Sequence, residues 1–493
     1  MLIETVAKYA RERRMDIALQ GMDISLDYQD LFAETTRLQA RFHQYKKPVT
    51  LAIAMENHPV WVIADLAAMA CNIPLVPLPL FFSSSQLLHA ITDAGVNTLI
   101  TDNPQHFSAI LGHLIVSQST LQIANKPLTQ FNLSTQSRNL AKHTAKITYT
   151  SGTTGQPKGV CLSMDAMLNV ANAIKTATHL SAGDQHCCVL PLSTLLENVA
   201  GAYASLLAGA TIHLLPGSET GLKGSTLDIH KLHAALTQTR ASTAIFIPEL
   251  LSALVLALEA GAGALPHLRF LAVGGAHVST QLLQRAAKLK LPVFEGYGLS
   301  ESASVVALNT PQNNKIGSVG KPLPHISVRL SNDNEILVKG ANLLAYTGEG
   351  IIEKENGFIH TGDIGYLDEE GYLFINGRKK NIFITSFGRN VSPEWVEREL
   401  TSTPHIAQAC LFGEAKPWNT VLITPIADVT DAEINSSVEA INQRLPDYAR
   451  VGKWLRTESP FSVANNQLTP NGRLKRDIIW QHYQNKINAL YKD

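Results

Sequence analysis

The sequence predicts an α/β fold, with a large N-terminal domain of helix-covered sheets followed by a small α+β C-terminal domain. Three observations carry that reading. Short apolar strand candidates alternate with helical patterns through most of the first 300 residues, the pattern of strands covered by crossover helices. After Gly317 the long helical patterns stop, and short strands and turns replace them. Finally, 493 residues exceed what one core organises, so two or more domains are expected.

In chain order, residues 49–55 read as a strand, 60–70 as a helix and 73–78 as a second strand. The theme returns as strand 244–248, helix 249–259, strand 268–273, helix 279–289 and strand 292–295. Such alternation predicts parallel sheets, with ligands at the carboxyl ends of the strands. Beyond Gly317, residues 335–338 and 372–375 read as strands, the second after a turn at 368–371. In the tail, Ser392 and Pro393 suit the N-cap and first position of a helix running to Leu400. Asp431 is placed to cap another, with Ile434, Val438, Ile441 and Leu445 along one face.

Composition excludes several classes. Apolar residues make up 45% and charged residues 17%, as in a soluble globular protein. Lys+Arg and Asp+Glu are equal at 41 each, which argues against a broad basic face for nucleic acid. The N-terminal residues mix charges into their apolar positions, unlike a secretory signal. The most apolar stretch, 187–215, is interrupted by Glu197 and Asn198, so no transmembrane segment is expected, although peripheral membrane contact stays open. The 5 cysteines form no CxxC pair and read as reduced thiols of a cytoplasmic enzyme. No zinc spacing appears among the 17 histidines.

The strongest local signal is Thr150, Ser151, Gly152, Thr153, Thr154, Gly155, Gln156, Pro157, Lys158 and Gly159, between strand candidates 147–149 and 160–162. The glycines let backbone N–H groups approach a polyanion, the hydroxyls add donors, and Lys158 adds a point charge. Together they suit the phosphates of ATP. The order is not that of a Walker A loop.

This loop resembles the signature of the adenylate-forming (AMP-binding) superfamily, which includes acyl-CoA synthetases, peptide-synthetase adenylation domains and firefly-type luciferases. Four further motifs follow in the family's order. Val273 to Ala276 resembles the segment lining adenine, with Gly275 and Ala276 at the nucleotide. Gly296 to Glu301 resembles its partner, which implies Tyr297 stacked on adenine, Ser300 at the phosphates and Glu301 holding Mg²⁺. His360 to Asp363 resembles the ribose site, with Asp363 accepting both hydroxyls. Gly377 to Lys380 resembles the inter-domain hinge, with Arg378 near ribose and phosphate and Lys380 as pivot. The resemblance thus implies an AMP-binding domain over 1–379, containing a small barrel-like part, and a mobile C-terminal domain over 380–493. It implies ATP, Mg²⁺ and coenzyme A as cofactors. Gly388 stands where the family's thiolation face approaches pantetheine.

The residues 191–197 resemble a segment in which long-chain acyl-CoA synthetases have a histidine and, three residues on, a glutamate. Glu197 matches, while Thr194 takes the histidine position and cannot carry charge. No aspartate stands nearby to pair with an amino acid's ammonium group, so a fatty or other apolar acid is favoured. Leu195, Leu196, Ala200, Ala202, Ala204 and Leu206 fit either an acyl tunnel or plain core. The segments 386–397 and 468–476 look most like long-chain fatty acyl-CoA synthetases, with coenzyme A as acceptor. An acyl carrier protein as acceptor and a non-catalytic acyl- or nucleotide-binding protein are the alternatives. The last motif departs from the family: Arg473 stands where a lysine normally bridges carboxylate and α-phosphate, and Lys475 follows two residues later. Arginine keeps the charge but presents a planar fork. Lys158, Glu301 and Arg473 are therefore the expected catalytic residues, with Lys475 able to replace Arg473 if the segment is extended.

Overall fold

Leu51–Ala54 is buried at every position, as a strand covered by helices on both faces must be. It sits inside an eight-stranded sheet and pairs in parallel with Leu75–Pro77 and Thr98–Thr101. The computed structural model describes residues 1–493 except 46–48, 151–156, 225, 277, 350–353, 470–471 and 492–493. The expected all-parallel arrangement holds only at the sheet's centre. Thr144–Thr150 pairs antiparallel with Lys158–Ser163, and Thr98–Thr101 antiparallel with Lys126–Leu133. Only residues 151–157 separate Thr144–Thr150 from Lys158–Ser163, too short a connection for a parallel crossover.

The second large sheet has nine strands, with Gln185–Cys188 in its interior, flanked by Thr211–Leu214 and Thr243–Phe246. Phe270–Val273 and Val293–Tyr297 continue it in parallel. The helices fall close to expectation: Pro59–Ala70, Pro248–Glu259 and Thr280–Lys288. Ser327–Leu330, Glu335–Lys339, Ile359–Leu367 and Leu373–Arg378 form a four-stranded antiparallel sheet, the small barrel-like part.

From Phe383 onward the chain packs around its own cores. Val396, Ile406, Val421, Ile434 and Ile441 are buried together beside the sheet of Ile406–Phe412, Asn419–Pro425 and Val451–Arg456. Helix Pro393–Thr401 begins where expected, but Ser392 does not cap it; its hydroxyl donates to the Asn376 carbonyl at 2.6 Å instead. The second tail helix, Asp431–Asn442, is capped by Thr430 rather than Asp431, because Thr430 and Glu433 complete a reciprocal capping box. A third helix, Arg476–Ala489, was not expected; it buries Ile479, Tyr483 and Ile487 in a separate small core. Ile478 and Trp480, half-buried, flank buried Ile479 and blur the contrast between the faces of this helix, which leaves a faint helical signal.

Candidate active site

The loop residues Ser151, Gly152, Thr153, Thr154 and Gly155 lie outside the described residues. Their two anchors are described: Thr150 pairs in register with Lys158 across the hairpin. Lys158 Nζ is 2.7 Å from Glu349 Oε1 and 5.3 Å from the Tyr346 ring centroid. The Tyr346 hydroxyl in turn donates to Glu301 Oε1 at 2.8 Å. Lys158 and Glu301, 143 residues apart in sequence, are thus joined through Tyr346 and Glu349. Neither of these two was singled out from sequence, since they belong to no motif. Tyr346 arrives because Ala345–Tyr346 adds as an edge strand beside Lys158–Ser163.

Asp363 is held from both sides. The Tyr297 hydroxyl donates to Oδ2 at 2.6 Å, and Arg378 Nε lies 2.8 Å from Oδ1. Burial raises the Asp363 carboxyl above its ordinary range, and the Arg378 charge opposes that rise. Burial and the neighbouring Asp363 push the Tyr297 phenol well above its ordinary value. Gly275, Ala276, Tyr297 and Ser300 line one continuous cleft with Arg473. Arg473 Nη2 donates to the Gly275 carbonyl at 3.2 Å, linking the last motif to the adenine segment. Enclosure in the cleft lowers the Arg473 guanidinium, as does the charge of Arg378, while Asp363 and Glu301 oppose. Lys380, on the exposed turn Lys379–Asn381, is lowered first by desolvation and then by the charges of Arg378 and Arg473. Arg378 and Arg473 therefore converge on the anionic pair Asp363 and Glu301, with Lys380 beside the two cations, a field suited to a polyphosphate.

The cleft encloses about 1350 Å³ between the two domains. Thr194, Leu195, Leu196 and Ala200 line it, whereas Ala202, Ala204 and Leu206 are core. The Thr194 hydroxyl donates to the Pro191 carbonyl at 2.7 Å. Glu197 does not line the acyl side of the cleft by its carboxylate as expected. Its side chain is fully buried, with Oε1 2.7 Å from His186 Nε2 and Oε2 accepting from the Leu190 N–H at 2.9 Å. A side chain on Gly201 would strike both Glu197 and His186, so the missing Cβ leaves room for their contact. The segment Leu196–Tyr203 is a π-helix, which turns Leu196 and Ala200 to the cleft while Glu197 and Asn198 face inward.

Two expected positions fall elsewhere. Lys475 bonds Asn466 Oδ1 at 2.5 Å and is not among the residues lining the cleft. Gly388 occupies an exposed turn at φ 72°, its N–H donating to the Thr385 carbonyl at 2.9 Å. Nothing lies within 4 Å of where its Cβ would stand, so the close approach expected of it is not made in this arrangement.

The AMP-binding enzyme family model matches residues 6–347, and the model of the AMP-binding enzyme C-terminal domain matches residues 380–493. The chain belongs to the AMP-binding enzyme family. This AMP-binding enzyme is 31% identical to the 2-succinylbenzoate–CoA ligase of Bacillus cereus over 424 residues, 80% of the chain and 82% of the relative. It is 26% identical to the long-chain-fatty-acid–CoA ligase of Mycobacterium bovis over 532 residues, 87% of the chain and 86% of the relative. Its fold matches the O-succinylbenzoate coenzyme A synthetase of Bacillus subtilis, solved in complex with ATP and magnesium ion. That match has a TM-score of 0.77 at 23% identity and covers 96% and 98% of the two chains. The AMP-binding enzyme is thus an adenylate-forming CoA ligase, and its relatives divide between aromatic and fatty acids.

Proposed function

We propose that this enzyme activates a medium- or long-chain fatty acid as its acyl-AMP and then passes the acyl group to coenzyme A. The observation that carries the choice of acid is the wall of the cleft beyond Tyr297, formed by Ile174, Leu190, Leu196, Ala200, Ile245 and Phe270. Such a wall favours an alkyl chain by area alone. A dicarboxylate such as 2-succinylbenzoate needs a cation for its second charge. Of the lining cations, Arg285 is committed to Glu259 at 2.6 Å and Arg398 is paired with Glu399 at 3.4 Å, while Arg473 stands at the nucleotide end and Lys223 is exposed to solvent.

The chemistry follows from the placement of charge. In the first step a carboxylate oxygen attacks the α-phosphorus of ATP and pyrophosphate leaves, although both reactants are anions. Arg473 is the residue placed to offset that repulsion, and Lys158 reaches the triphosphate on leaving Glu349. Glu301, a carboxylate oriented by Tyr346, offers the oxygen donor that a magnesium ion prefers. When bound, that ion neutralises phosphate charge. Asp363 takes the ribose hydroxyls in place of Tyr297 and Arg378. In the second step the thiol of coenzyme A attacks the acyl carbonyl and AMP leaves. The C-terminal domain turns about Lys380 between the steps.

Acid-dependent pyrophosphate exchange over straight-chain acids, aryl acids and 2-succinylbenzoate tests the reading. Exchange with acids of roughly eight carbons or more is expected, AMP being released with free coenzyme A and not with holo acyl carrier protein. Exchange confined to aryl acids overturns the choice of acid, and release with the carrier protein alone overturns the acceptor.

A further inference from the structure

Directly behind the cleft wall lies a buried ionic cluster that the two-step reaction does not use. Lys146, 1% exposed, sits on the strand that leads into the phosphate loop, and Asp65, 2% exposed, on helix Pro59–Ala70. Lys146 Nζ donates to Asp65 Oδ2 at 3.0 Å, to Tyr203 Oη at 2.8 Å and to Asn198 Oδ1. All three ammonium protons are committed. Asn198 Nδ2 and the Tyr203 hydroxyl donate to the same Asp65 oxygen at 3.0 and 2.7 Å.

Two of these partners, Asn198 and Tyr203, belong to the π-helix Leu196–Tyr203. Its adjacent residue Glu197 faces the other way and binds His186 of strand Gln185–Cys188. Successive side chains of one turn are therefore fastened to both large sheets, through Lys146 to the eight-stranded one and through His186 to the nine-stranded one. Between the fastenings, Leu196 and Ala200 present the cleft wall. π-helical turns are rare and concentrate at functional sites. A buried ion pair can often be replaced by neutral groups without loss of stability, so stability alone gives little reason for this one.

We propose that Lys146, Asp65 and Asn198 are positioning residues for acid selection. They hold the π-helical wall at a fixed distance from the phosphate-loop strand, and so decide which acids bring their carboxylate to the α-phosphorus. The inference rests on reading the cleft as the acyl site. Misplacement by about 1 Å is enough to cost on the order of 10²-fold in rate, which gives such a spacer leverage over selectivity.

The test is the double variant Lys146→Met with Asp65→Asn, which leaves no unpaired charge and keeps an acceptor for Tyr203. Steady-state exchange is measured over straight-chain and aryl acids, with KM and kcat taken for each acid and for ATP. The KM of the preferred acid is expected to rise about tenfold and discrimination among acids to flatten, while the KM of ATP moves by less than about twofold. An unchanged acid profile overturns the inference, as does an equal rise in both KM values, which marks a merely structural role. Tyr203→Phe removes a single hydroxyl and is expected to shift the profile in the same direction. It decides the matter if the double variant does not fold. Exchange with aryl acids alone defeats the fatty-acid reading, yet their profile still tests the positioning role.

Discussion

Arg473 and Lys475 are two residues apart, yet only Arg473 enters the cleft. Had the segment stayed extended, both would share a face. Instead Leu474 bridges back to Leu468, and Lys475 is the residue from which helix Arg476–Ala489 starts, so the chain turns between the two cations. Arg476 is committed as well, to buried Glu397 at 2.5 Å. Arg473→Ala is expected to depress acid-dependent pyrophosphate exchange by on the order of 10²-fold, the usual effect of removing a positioned charge at a reaction centre. Arg473→Lys is expected to retain most activity, and Lys475→Ala to change little. Loss of exchange in Lys475→Ala alone would reverse the assignment. The residue types of this motif are visible in the sequence; which one points inward depends on a bridge and a helix start that no motif encodes.

At the scale of elements, the buried strand Thr211–Leu214 carries His213, whose Nε2 lies 2.7 Å from Gln185 Oε1. Burial first, and His186 second, lower its imidazole to about 4 from 6.5. Above pH 6.5 the ring is neutral in folded and unfolded chains alike. As pH falls from 6.5 towards 4 the unfolded chain takes up a proton that the folded one refuses, so stability declines over that window. Urea unfolding at pH 7 and pH 5 is expected to show a larger loss for the wild type than for His213→Gln, by on the order of 1 kcal/mol. Equal losses would show that His213 does not carry this slope. Elements of this kind were partly legible beforehand. Alternating apolar runs located the strand Thr243–Phe246 and the helix Pro248–Glu259, because periodicity is a local property. Glu197 and the apolar residues of Leu196–Tyr203 read from the sequence as an acyl side or core with no π-helical turn, since that turn is fastened by Lys146 and His186 from distant strands.

At the scale of the whole molecule, the cleft is built by both domains, with Tyr297 and Gly275 from one and Arg398 and Arg473 from the other. Gly388 stands away from it on an exposed hairpin beside Phe387, which is 76% exposed. On the two-step cycle proposed above, this arrangement suits the adenylation half, and the face bearing Gly388 is assigned to the second half. Gly388→Leu is expected to leave acyl-AMP formation within about threefold while slowing thioester formation by on the order of 10-fold or more, so that acyl-AMP accumulates. Single-turnover measurements of the two half-reactions check this. Equal slowing of both would mean that the hairpin does not act as a separate face. No described helix is long and apolar enough to cross a membrane.

The sequence by itself determined the α/β class, the order of five motifs and the chemistry they share, because glycines, hydroxyls and charges at short spacing act locally. Only the tertiary structure decided which of those groups face one another. It joined Lys158 to Glu301 through Tyr346, engaged Asp363 with Tyr297 and Arg378, and drew Glu197 out of the acyl wall into a buried pair with His186. The physical reason is the same in each case. A charged side chain can be buried only where partners offset the cost of its desolvation, and those partners come from strands that meet only once the sheets have formed.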